Sequence, residues 1–158
     1  VRRFGSTKAT SGQQSPGRKW GVMRPYMIPC VDGRDYLYRL RILSTPFGGV
    51  YLHKIINADP ADPHDHPWNF VSIILKGGYD EVRHMVGPDR MIGQEGRVYF
   101  WRRGHINRVK LNEAHRIAKI IPGTWTLVFV GRRQREWGFF INEADYGTWI
   151  PWQEYEER

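Results

Sequence analysis

The stretch ADPHDHPWNFVSIILKGGYDE, residues 61–81, sets His64 and His66 two positions apart at the head of an apolar run that closes on Gly77 and Gly78. In an extended chain residues i and i+2 face the same way, so both imidazoles can converge on one point. The run behind them has the β-branched and aromatic content of a core strand, and the glycine pair ends it in a turn. Two imidazoles at the mouth of such a strand either hold a metal together or share a rim.

Outward from this stretch the pattern stays β from residue 20 onward. Strands are expected over residues 36–43, 50–56, 68–75, 79–84, 97–101, 115–121, 125–130 and 137–141, separated by Pro- and Gly-containing turns. No window carries a convincing helical period, the nearest being 111–118, and no internal repeat is visible. Short strands with frequent turns indicate an all-β sandwich or barrel. The C-terminal YGTWIPWQEY is too punctuated by Gly and Pro to read as a strand; its apolar load implies that it packs over one end of the barrel.

Composition bounds the rest. With 158 residues the chain forms one domain, and 7 Trp, 8 Tyr and 7 Phe argue for a packed core. The single cysteine, Cys30, excludes an internal disulfide framework and any Cys-rich zinc site. No apolar run approaches the ~20 residues of a membrane span, and the first residues lack the apolar core of a secretory signal. The expectation is a cytoplasmic protein with no membrane partner. Of the net charge of +8, Arg2, Arg3, Lys8, Arg18 and Lys19 supply +5 with no acid among them. Residues 1–19 therefore read as a flexible basic arm, either a solvated tail or an arm for nucleic acid or another acidic partner, and residues 20–158 as the barrel.

Six histidines are present: His53, His64, His66, His84, His105 and His115. His115 opens a strand, HRIAKII, that can run beside the His64 stretch inside a barrel, and three imidazoles would then meet. Imidazole is the commonest side-chain ligand for the later first-row metals. His84 reads as a strand-surface residue, His105 as a turn residue, and His53 as a hydrogen-bonded barrel histidine.

HDHPWNFVSIILKGGYDE resembles the first motif of the cupins, and LNEAHRI resembles the second. The resemblance implies a cupin-like double-stranded β-helix, or jelly roll, in which His64, His66 and His115 hold one divalent transition metal. HDHPW followed by WGFF and WIPWQEY also resembles a group of uncharacterised small cupin-like proteins of bacteria and their phages. One position departs from the pattern: where a cupin glutamate is expected the chain has Phe70, or Val71. A three-histidine site without a carboxylate is similar to that of the thiol-dioxygenase branch. His53 and Glu81 are candidates for a fourth ligand. Asp65 has the wrong parity for a ligand and would instead hold a loop or an imidazole N–H. An oxoglutarate-type HxD or HxE triad fails on spacing.

The implied function is Fe(II)-dependent dioxygenase or oxidase chemistry on a small organic molecule, with Mn, Ni, Cu or Zn as other metals. Trp68 and Phe70 would wall the pocket, and Arg102 or Arg108 would anchor an anionic group. The alternative is a non-catalytic cupin that binds a small molecule or serves in assembly, virion-associated if of phage origin. A homodimer is the expected self-association.

Overall fold

The computed structural model describes residues 25–29, 33–59, 62–93, 95–143 and 146–156. The basic arm and Cys30 lie outside the described residues. The strands are β1 (Tyr26–Pro29), β2 (Asp35–Thr45), β3 (Gly48–Ile55), β4 (Phe70–Lys76), β5 (Gly78–Met85), β6 (Met91–Gly93), β7 (Arg97–Arg102), β8 (Ile106–Val109), β9 (Glu113–Ile120), β10 (Thr124–Val130), β11 (Gly138–Glu143) and β12 (Tyr146–Pro151), followed by helix α1 (Trp152–Glu156). All pairings are antiparallel. A six-stranded sheet in the order β1-β2-β3-β10-β4-β8 is accompanied by two three-stranded sheets, β7-β5-β9 and β11-β12-β6. No helix among the described residues is long and apolar enough to cross a membrane.

The HxH segment joins the two smaller sheets. His64 forms isolated bridges to His115 on one side and Phe139 on the other. Its N–H donates to the His115 carbonyl and the His115 N–H donates back, each at 2.9 Å. On the other side Phe140 N–H donates to Pro63 O and Asp65 N–H to Gly138 O. Residues 63–65 thus act as a one-rung strand between β9 and β11.

Alternation along each strand sorts the side chains into the barrel or out of it. Inside, Ile55, Ile74, Tyr79 and Ile117 form a buried cluster with Tyr36, Trp101 and Ile120 against it. A second cluster of Ile92, Ala114 and Phe140, with Val86 and Trp149, lies on the face opposite the histidines. The turn between β4 and β5 needs its glycines. Gly77 has φ 68°, and a Cβ there would meet Thr124 Oγ1 at 2.4 Å, while one on Gly78 would meet the Trp101 carbonyl at 2.2 Å.

The outward face of the large sheet is apolar over five strands. Leu40, Leu52, Leu127, Ile73 and Ile106 form one cross-strand row, and Leu43, Val50, Phe129 and Val71 the next. Leu43, Ile106 and Phe129 are 51%, 51% and 41% exposed. The first row crosses five strands and the second four, spanning roughly 300 Å² in flat projection, within the range of the largest patch a monomer exposes.

Two sequence readings are corrected. The segment 146–151 is a strand, paired with β11 on one side and β6 on the other. Gly147 is what admits it: a Cβ there would sit 2.7 Å from Ile92 Cγ1. His84 is no surface residue, being 8% exposed with its Nδ1 on the Gly93 carbonyl, because the chain around β6 folds across the outer face of β5.

Candidate metal centre

His64 and His66 share a face by their two-residue spacing, and His115 faces the same side because it is the cross-strand partner of His64. One nitrogen from each of the three lies within 4.8 Å of the others. The Nε2 atoms of His66 and His115 are 2.8 Å apart, and the His64 ring centroid is 5.0 Å from that of His66 and 4.9 Å from that of His115. His64 and His115 are buried and His66 is half-buried.

The electrostatics suit neutral imidazoles. Burial, with the neighbouring His115 adding to it, holds His64 down at about 4 against the opposing pull of Asp59 and Glu81. Burial first, then the His115 and His64 rings and Arg39 and Arg135, hold His66 well below the usual histidine range. A neutral imidazole offers a lone pair.

Behind the cluster stands Glu81, fully buried on β5. Its Oε1 takes a short contact from His115 Nδ1, leaving His115 Nε2 to face His66. Its Oε2 accepts from Trp101 Nε1 and Arg83 Nη2, each at 2.6 Å, and Asn107 Nδ2 lies at 3.3 Å. Burial alone would raise this carboxyl, but His115, Arg83 and Trp101 more than offset it and keep it at about 2. Arg83 also donates to the Asn107 side chain and the Arg108 carbonyl. A carboxylate on the far nitrogen of an imidazole fixes its tautomer and raises its basicity as a ligand.

Phe70 occupies the place where the cupin glutamate was expected, its ring edge-on to His66 at 4.7 Å and 5.9 Å from His115. Trp137 and Phe139 close over His64 at 6.2 and 5.7 Å. They are capped in turn by Trp152, stacked on Trp137, and by Tyr155, stacked on Phe139 at 3.8 Å. The Tyr155 hydroxyl donates to Asp62 just ahead of the HxH.

The histidine set fits a metal on its own geometry. Buried His64 Nδ1 has no hydrogen-bond partner among the described residues, a state that costs free energy unless something binds there. Two nitrogens held at about 2.1 Å from one ion and at a right angle are about 3 Å apart, close to the His66–His115 separation.

The other candidates fall outside the cluster. His53 accepts from Arg39 Nε at 2.9 Å, and burial with the Arg39 charge holds it at about 3. Asp65 points away from the histidines, as its parity required. It accepts from Gly138 N–H at 2.8 Å, Trp149 Nε1 at 3.3 Å and Arg135 Nη2 at 2.8 Å, with Arg90 at 3.5 Å. Glu81 supports His115 from behind. Arg102 is corrected: it turns outward to Asp80 at 2.9 Å, because its parity on β7 is opposite to that of inward Trp101. Arg108 and Phe70 line an open groove of about 520 Å³ that also includes Asn69, Val109, Phe129 and Gly131. Trp68 is half-buried and does not line it. His105 is exposed at the end of a turn, as expected.

Sequence reasoning overlooked Arg39, Arg83, Asn107, Trp137 and Phe139. A signal existed for the arginines: Arg83 is two residues from Glu81, and Arg39 two from buried Leu37, so each shares an inward face.

Fold and site together define a cupin-like double-stranded β-helix with three histidines converging in its mouth. No protein-family model matches the chain, and no curated protein does. Solved structures do match. Fe(II)-HppE with the alternative substrate (S)-1-HPP aligns with a TM-score of 0.50 and 16% identity, over 68% of this chain and 55% of that one. CapF with the inhibitor 3-isopropenyl-tropolone aligns with a TM-score of 0.51 and 16% identity, over 69% of this chain and 31% of that one. An uncharacterized conserved protein with a double-stranded β-helix domain from Klebsiella pneumoniae aligns at 0.47 and 15% identity, over 68% and 86%. The chain spans about half the length of HppE and under a third of CapF. Identities at this level speak to the fold alone.

Proposed function

We propose that the chain binds one first-row divalent metal on His64, His66 and His115, and that Fe(II) is its working metal in oxidative chemistry on a small organic molecule. The observation that carries this reading is the convergence of three imidazole nitrogens within 4.8 Å, backed by a carboxylate on His115. Iron is favoured because a structural neighbour is described as Fe(II)-HppE. When bound, such a metal supplies Lewis-acid and redox chemistry. The protein's own contribution is to keep the His64 and His66 imidazoles neutral by burial, to fix His115 through Glu81, and to hold an apolar wall of Phe70 beside the cluster. Three protein ligands leave coordination positions for a substrate.

Metal analysis of the purified protein tests the reading. Close to one first-row metal per chain is expected, lost in His64→Ala and in His115→Ala and kept in His105→Ala. Full metal retention in a His64→Ala, His66→Ala double variant would remove the assignment.

A second reading, a non-catalytic binding or assembly module such as a phage structural protein, draws on the apolar outer face of the large sheet. That face would pair with a second copy of the chain. Sedimentation of the wild type against Leu127→Lys decides it, since a dimer on this face should dissociate in the variant.

A further inference from the structure

Four arginines among the described residues have a carboxylate partner. Arg83 pairs with Glu81 and lies 3.6 Å from Glu113, Arg102 pairs with Asp80, and Arg90 and Arg135 share Asp65. Arg39 does not. Its hydrogen bond among the described residues goes from Nε to the neutral imidazole of His53 at 2.9 Å, and its guanidinium carbon lies 5.2 Å from the centre of the Tyr51 ring. Among the described residues the two terminal nitrogens of the fork have no acceptor and no carboxylate pairs with them, and a half-buried cation without a counter-charge is costly unless something supplies one.

Register places Arg39 on the inward face. It pairs with His53, and His53 pairs with Thr126, which is buried inside the barrel. Exposure along these strands locates the mouth. On β2 the inward residues run from buried Leu37 through half-buried Arg39 to exposed Arg41, and on β3 from buried Ile55 and His53 to half-buried Tyr51. Arg39 thus stands beside His53 on the inward face, where the barrel interior opens to solvent.

We infer that Arg39 is the anchor for an oxyanion, a carboxylate or a phosphonate or phosphate group, carried by the small molecule that meets the histidine cluster. The substrate class, resting on the metal reading above, is therefore a small organic anion. His53 and Tyr51 hold the guanidinium plane, so its two terminal N–H edges are presented as a fixed fork that matches two oxyanion oxygens. Arg39 is a binding residue of the substrate, in place of Arg102 and Arg108.

The test uses the full-length protein, stripped with EDTA and reloaded with diamagnetic Zn(II), titrated with methylphosphonate and separately with propionate and followed by 15N NMR. Saturable binding of at least one probe is expected in the wild type, and the stronger of the two names the anion. Arg39→Met should weaken it at least tenfold with zinc stoichiometry unchanged. Arg39→Lys should retain part of it, having charge without the fork, and His53→Leu should weaken it by freeing the guanidinium plane. Arg102→Ala should stay within twofold of wild type. Chemical denaturation of each variant checks that the fold is kept. No saturable binding to the wild type, or equal binding by Arg39→Met, overturns the anchor. Failure of the chain to take up zinc, with Arg39-dependent binding intact, would sink the metal reading and leave the anchor standing.

Discussion

At one end of the barrel interior Ile55, Ile74, Tyr79 and Ile117 pack on one another. Two residues along the same four strands, on the same inward face, stand His53, Ser72, Glu81 and His115. One step of about 7 Å takes every strand from an apolar contact to a polar one. Both levels are buried, the four polar residues being between 0% and 9% exposed. The apolar level stabilises the barrel by removing surface from water. At the polar level each group must find a partner or its burial is unfavourable. Glu81, Arg83, Asn107, Trp101 and His115 satisfy one another there. Among the described residues two buried side-chain atoms are left over, Arg83 Nε at the edge of this network and His64 Nδ1 on the cluster itself. A core built only for stability would have repeated the isoleucines.

The largest effect that can break this contrast is at Glu81. Glu81→Leu leaves Arg83 buried without its carboxylate and should cost about 3–5 kcal/mol in chemical denaturation. Pairing it with Arg83→Met should recover much of that stability but not the metal, because His115 loses its support. A Glu81→Leu variant as stable as wild type would mean that the polar level is not a closed network.

At the apolar level, Ile74→Ala should cost about 3 kcal/mol through lost burial and a residual cavity, with metal content unchanged. Loss of metal in that variant would show that the two levels do not act separately.

Acid sharpens the comparison next. His53, held at about 3, and His64, held at about 4, lie below their unfolded value of 6.5. Their contribution to stability is complete above pH 6.5, because both native and unfolded rings are then neutral. It is lost as pH falls from 6.5 towards 4 and 3, where the unfolded chain takes up protons that the native one refuses. Glu81, held at about 2, adds a further loss below pH 4.5. The denaturation midpoint of metal-free protein should drop steadily below pH 6.5, and a flat profile down to pH 4.5 would contradict neutral buried imidazoles.

The smallest effect belongs outside the barrel. Arg102 is 42% exposed at its ion pair with Asp80, so Arg102→Ala should change stability by under about 1 kcal/mol. A loss of several kcal/mol would place Arg102 in the interior network.

Local pattern made much of the fold legible. Strands form at all eight expected places, since runs such as 68–75 and 125–130 carry their β signal within a few residues. The overlooked β1, β6, β8 and β12 are short or broken by Gly and Pro, and they are strands because neighbours pair with them. Gly147 lowers the strand propensity of β12, yet it lets Ile92 and Phe140 close on that strand.

The site divides along the same line. Parity within residues 64–66 determined that His64 and His66 face together and that Asp65 faces away, because alternation is a property of any extended chain. That His115 meets them follows from residues 63–65 bridging to β9, a contact across about fifty residues that no local pattern encodes. Glu81 reaches His115 because β5 lies beside β9 with a bulge between Asp80 and Glu81 that resets the register. Arg39 joins the mouth only through its pairing with His53. Residue spacing sets which way a side chain points, whereas its neighbours are set by strand pairing, whose free energy is shared over the whole barrel.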